Sequence, residues 1–210
     1  MKRNTKEEIL IESLRLFSHS GYDGVTMRDI AGNVGIRQSS LYKHFAGKQE
    51  IFESIVVRMD AEYKVKLDKM RLASGDDSVQ RAAQYTEKTL TGMADIGEAM
   101  FKYWTQDEYA SLFRKMLIVE QYHNPELAAL YQKYFLSGVI ELQEEIISSL
   151  IEKGFFRKGN PKLLAMEFYG TIFLMIAAYD TSENKTAFIE LVREHVKNFG
   201  RRYAVYAREV

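Results

Sequence analysis

Only two prolines, Pro125 and Pro161, interrupt the 210 residues, and each follows an asparagine. Asn followed by Pro is a helix start: Asn caps the free N–H groups and Pro fits the first turn. With so few helix breakers, and no segment of convincing apolar–polar alternation, the chain is expected to be all-α. Hydrophobic residues at 46% and aromatic residues at 12% are enough for a packed core, which excludes a disordered chain. The absence of cysteine excludes disulfide scaffolds, thiol nucleophiles and thiolate metal sites. The start, Met1-Lys2-Arg3-Asn4, is polar, and the longest apolar run covers only 172–179. A bilayer span needs about 20 residues, so a soluble cytoplasmic protein is expected.

Charge divides the chain. Residues 1–48 hold eight Lys or Arg against five Asp or Glu, although the whole chain has a formal net charge of zero. Aromatics divide the other way: Phe17, Tyr22, Tyr42 and Phe45 are the only ones in that stretch. The expected organisation is a small, mildly basic domain at 1–48 and a larger, aromatic, mildly acidic one at 49–210. A charge excess this small is weak support for nucleic-acid binding.

The first helix is expected from Asn4 or Thr5 to Ser20, with Leu10, Leu14 and Phe17 on one buried stripe and Gly21 as its stop. Thr26 opens a short second helix, with Asp29 three residues on to complete a reciprocal cap. It ends near Val34, and Gly35 supplies the turn. A third helix is expected over 37–44 and a fourth over 48–72. Beyond the Ser74-Gly75-Asp76-Asp77 break, helices are expected near 78–93, 95–104, 107–122, 125–153, 161–180 and 184–206.

Two short helices joined by a tight glycine turn form a helix-turn-helix. The second begins Arg37-Gln38-Ser39-Ser40, polar or small residues that allow a helix N-terminus to reach base edges in a major groove. Leu41 and Phe45 give it an apolar anchor. A structural hairpin with ordinary polar surface is the competing account of this spacing.

The longer string favours DNA. Residues 26–45, TMRDIAGNVGIRQSSLYKHF, followed by AGKQEIF, resemble the DNA-binding segment of the TetR family of bacterial transcription regulators. The upstream ILIESLRLFSHSGYDGVT is similar to that family's first helix and Gly-Tyr turn, so the resemblance covers about 5–56. It implies a homodimer that binds double-stranded operator DNA with its head and a small effector with its body, most often as a repressor. By position, the resemblance makes Thr26, Tyr42, His44 and Lys48 phosphate contacts, and Arg28, Arg37, Gln38, Ser39 and Lys43 base or backbone contacts. Gln38 is the best candidate for base readout, because its amide can pair bidentately with adenine. Lys2 and Arg3 can form a loose arm toward DNA, or a solvated terminus.

Met and aromatic residues gather in the body. Met93, Met100, Phe101, Trp104, Phe113, Met116, Tyr122, Phe168 and Phe173 are candidate walls of an effector pocket, since such side chains suit an adaptable apolar cavity; core packing explains each of them singly as well. Glu98, Glu120 and Glu167 are candidate acids to orient a ligand. Glu120 and His123 have an i, i+3 metal-ligand spacing, but no second such pair exists, so neither metal nor cofactor is expected. Small residues Ala165, Gly170, Ala177 and Ala178 mark the 161–180 helix, with the 125–153 helix, as expected dimer elements. No catalytic constellation is present, and an enzyme is not expected. An all-α ligand-binding or interaction module without DNA affinity is the alternative.

Overall fold

A computed structural model describes the backbone of residues 5–73 and 87–205, and the side chains of 5–69 and 90–205. Ten helices occur in these residues: α1 (Thr5–Ser20), α2 (Met27–Val34), α3 (Gln38–Leu41), α4 (Lys48–Ala73), α5 (Glu87–Gln106), α6 (Glu108–Glu120), α7 (Pro125–Phe135), α8 (Ser137–Glu152), α9 (Pro161–Tyr179) and α10 (Lys185–Tyr203). The possible arm at Lys2 and Arg3 and the expected helical stretch 78–86 lie outside the described residues.

The chain packs into two compact units that are not contiguous in sequence. The first takes the residues up to Leu67 together with Asp107–Tyr131. Its helix α1 buries Leu10, Leu14 and Phe17 as the stripe predicts, and also Ile9. Each such side chain contributes about 1.5–3 kcal/mol relative to an exposed one. Against α1 pack α2 and, from far along the chain, α6. The expected caps form. Thr26 Oγ1 accepts from Asp29 N, the Asp29 carboxylate accepts from Thr26 N, and Gly35 ends α2 at φ 72°. Gly21 ends α1 at φ 74°, a conformation costly for residues with a Cβ.

The second unit takes the described residues of Asp68–Gln106 and Gln132–Val210. Here α5 packs on α10 and α8 on α9. The α5–α10 approach is close because glycines sit in it: a Cβ on Gly200 would lie 2.4 Å from Leu90 Cδ2, and one on Gly97 2.9 Å from Val196 Cγ2. A short antiparallel bridge, Arg157 N to Tyr203 O and Val205 N to Phe155 O, both 2.8 Å, ties the end of α10 to the 155–157 loop. That bridge needs extended backbone at Ala204, which is why α10 stops at Tyr203 instead of about 206.

Three other expectations change. Helix α3 covers only Gln38–Leu41, and 42–44 continue as turns with i→i+3 bonds such as His44 N to Leu41 O. The expected break between 93 and 95 is absent, and α5 runs unbroken from Glu87 to Gln106. Conversely, the expected 125–153 helix is two helices parted at Leu136, whose φ is −128° and ψ −103°. Gly138 permits that junction, since a Cβ there would stand 2.2 Å from Lys133 O. The Asn160–Pro161 start is confirmed: Asn160 Oδ1 accepts from Lys162 N and Leu163 N at 3.0 and 3.2 Å.

Helix α9 is unusual. By length and composition it is apolar enough to cross a membrane, yet only 22% of its most apolar 18-residue window is buried. Leu163, Met166 and Leu174 are exposed along it, at 63%, 48% and 68%.

Candidate nucleic-acid interface

The α2–α3 segment is built from the inside outward. Ile30, Ala31 and Val34 of α2, with Leu41 and Phe45, are buried and fix the segment on the first unit. The side chains between these anchors are left outside. Arg28, Arg37, Gln38, Ser39, Tyr42, Lys43 and His44 are all exposed, Tyr42 to 50%. Arg37 caps α3 with its backbone only, so its guanidinium is not spent on the helix end. Except for Arg28, which feels the charge of Asp29, these side chains have no hydrogen bond or ion pair among the described residues. They are exposed basic, amide and hydroxyl side chains on a segment anchored by buried apolar residues, with donors available to phosphates and base edges.

Two of the nine sequence-derived contact residues, Thr26 and Lys48, make hydrogen bonds within the protein. Thr26 is exposed, but its hydroxyl donates to Asp29 Oδ2 at 2.6 Å while accepting from Asp29 N. The hydroxyl bond, with the one from Thr26 N, holds the Asp29 carboxyl below its ordinary range. Lys48 is half-buried at the start of α4. Its Nζ donates to Tyr22 O at 2.6 Å and Val25 O at 2.9 Å, and sits 4.2 Å from the centroid of the Tyr22 ring. Sequence reading also missed one cation: Lys6 Nζ of α1 lies 5.2 Å from the Phe45 ring centroid, next to His44. No local motif marks it, because its neighbour is 39 residues away.

The candidate pocket residues fall in both compact units. Phe113, Met116, Glu120 and Tyr122 belong to the first unit, and Met93, Met100, Phe101, Trp104, Phe168 and Phe173 to the second. Phe113 and Met116 are fully buried, whereas Tyr122 is 85% exposed. Phe101 packs edge-on against Tyr179 at 5.4 Å, and Trp104 against Phe135 at 4.5 Å. Phe168 stacks on His195 and touches Phe199. Met93 and Met100 are half-buried, as is Phe173, which lies beside Tyr169.

All three candidate acids are already engaged. Glu98 accepts from Lys102 and Arg193, which keep its carboxyl below the usual range. Glu120 accepts from Tyr22 N at 2.8 Å. Glu167 accepts from Arg202 at 2.8 Å and from Tyr203 Oη at 2.6 Å.

Against known proteins, the family profile for bacterial regulatory proteins of the tetR family matches residues 9–55, the stretch from α1 to the start of α4. Residues 9–55 are thus similar to the regulators of that family. A relative of this tetR-family segment is the biofilm operon icaADBC HTH-type negative transcriptional regulator IcaR of Staphylococcus aureus, 47% identical over 51 residues. That alignment covers 24% of this chain and 27% of the relative, so the likeness is confined to about a quarter of either protein. Solved structures extend the fold match to nearly the whole chain. The SmeT–triclosan complex superposes with a TM-score of 0.63 at 18% identity, over 97% of this chain and 93% of that one. A transcriptional regulator from Saccharomonospora viridis in complex with choline gives 0.64 at 18%, over 95% and 97%. The chain thus shares its all-α fold with these proteins.

Proposed function

We propose that the chain is a homodimeric, operator-binding transcriptional repressor, released from DNA by a small molecule that binds its body. The exposed face of Arg28, Arg37, Gln38, Ser39, Tyr42, Lys43 and His44, on a segment of tetR-family sequence, carries this reading. In this proposal residues 1–48 are the reading head, and 49–210 serve effector binding and dimerisation. Repression follows the relative named as a negative regulator. Effector binding follows the structural neighbours solved with triclosan and choline.

The exposed apolar face of α9 supports the dimer. A second copy, not lipid, is the proposed cover, because Glu167 stands mid-helix with an Arg202 partner, and a charge at that depth in a bilayer is costly. Ile146 of α8 adds a further exposed apolar side chain. Two heads on a two-fold axis would read half-sites about 34–36 Å apart. Effector coupling of roughly 1–3 kcal/mol would weaken operator binding about 5–150-fold.

The test is selection of bound sequences from a genomic DNA pool, with a Gln38→Ala, His44→Ala double variant as control. Enrichment of a palindrome near a promoter by the wild type alone supports the reading. No enrichment by either at low salt, together with a monomer in solution, rejects it in favour of a helical binding module.

A further inference from the structure

The turn between α1 and α2 is held by charge from both sides. Tyr22 is the second residue of this turn. The N–H of Tyr22 points at the Glu120 carboxylate, 2.8 Å away at the C-terminal end of α6. The C=O of Tyr22 receives the Lys48 ammonium at 2.6 Å, from the first residue of α4. An anion thus meets the positive end of this residue's backbone dipoles, and a cation meets the negative end. Lys48 Nζ donates again to Val25 O, and its third side faces the Tyr22 ring at 4.2 Å. An ammonium has three donors, and these contacts occupy three directions around it. Glu120 is 5% exposed, and its Oε1 would lie 2.6 Å from any Cβ at position 21, so glycine is the residue that leaves it room. The Tyr22 hydroxyl completes the clamp with a 2.8 Å bond to Gln49.

We propose that Lys48 and Glu120 are positioning residues that clamp the Gly21–Val25 turn, and that Lys48 is not a phosphate ligand. The proposal rests on the operator-binding reading. The clamped turn leads directly into the Thr26 cap of α2, and α2 leads through Gly35 into α3. Fixing the turn therefore fixes where the reading face begins. Both partners of Tyr22 come from outside the α2–α3 segment, one of them 98 residues away.

The first test uses the full-length wild type. Surface amines are acylated, and the modification rate of each lysine is followed by mass spectrometry with and without an operator duplex. Lys48 is expected to react far more slowly than Lys43 in free protein, with no further protection from DNA. Lys43 is expected to react fast and become protected. Lys48 labelling as fast as Lys43 in free protein, or protection of Lys48 only on adding duplex, overturns the clamp. The free-protein rates decide this even if no duplex binds, an outcome that would reject the regulator reading by itself.

The second test is the salt dependence of operator affinity. Each lost phosphate contact should flatten the log–log slope by roughly 0.9, or about 1.8 for two heads. Lys43→Met is expected to show that change. Lys48→Met and Glu120→Leu are expected to bind more weakly at every salt concentration with the wild-type slope, while Glu120→Gln, which keeps an acceptor oxygen, retains binding. A flattened slope in Lys48→Met, or equal losses in Glu120→Gln and Glu120→Leu, contradicts the proposal.

Discussion

The two compact units use their distinctive residues in opposite directions. In the first, the polar residues of 37–44 point outward, and the apolar ones between them only hold the segment down. In the second, the residues that look most functional, Phe101 and Trp104, point inward and pack on other rings. The same conspicuous chemistry is thus exposed in one place and core in the other. Direction, set by helix phase and partners, separates the two.

The largest expected effect tests the inward half of this contrast. Phe101→Ala should lower unfolding free energy by about 3–5 kcal/mol, measured by urea denaturation, because the ring is fully buried. A ring lining an open pocket would lose much less, so a loss under about 1 kcal/mol would favour Phe101 as a pocket wall. Next comes Gly21→Ala. It forces a Cβ onto a φ of 74° and into the Glu120 carboxylate, and about 1–3 kcal/mol of destabilisation is expected by the same measurement.

Thr26→Ala should cost about 0.5–2 kcal/mol through the lost cap. It should also release Asp29. A carboxyl held low in the folded state stabilises above the ordinary carboxylate range, and that stabilisation is lost as pH falls through the folded value. Carbon-detected NMR titration should find Asp29 titrating higher in Thr26→Ala than in wild type. The smallest stability effect sharpens the outward half: Gln38→Ala should change unfolding by no more than about 0.5 kcal/mol. Its effect belongs to DNA, where selection should relax at one base position by about 1–3 kcal/mol of discrimination. Uniform weakening across all sequences would make Gln38 a backbone contact instead.

What could be read from sequence was what depends on near neighbours. The Thr26–Asp29 box, the Gly21 and Gly35 stops and the Asn160-Pro161 start are complete within a few residues, and all form. The break at Leu136 carries no proline or glycine of its own, and its permissive residue is two positions on, which hid it inside an apparently continuous apolar pattern. Glu120 and Lys48 were legible as charged residues, but their roles depend on a backbone group 98 residues from one and 26 from the other. The family-like string drew attention to Lys48 while concealing which way its amine turns.

The non-contiguous makeup of the first unit has a consequence during synthesis. Leu67 leaves the ribosome 64 residues before Tyr131, and the segment that completes the unit lies between Asp107 and Tyr131. At about 5–20 residues per second, the nascent first part waits roughly 3–13 s for that segment to be complete. Until then Gly21 and Tyr22 lack Glu120, and Ile55 O lacks the Tyr109 hydroxyl it receives at 3.1 Å. A fragment cut after residue 48 or 67 would be frozen in that incomplete stage. The smallest piece that holds the whole first unit therefore runs to residue 131, so this unit is a late product of translation although most of its residues are made first.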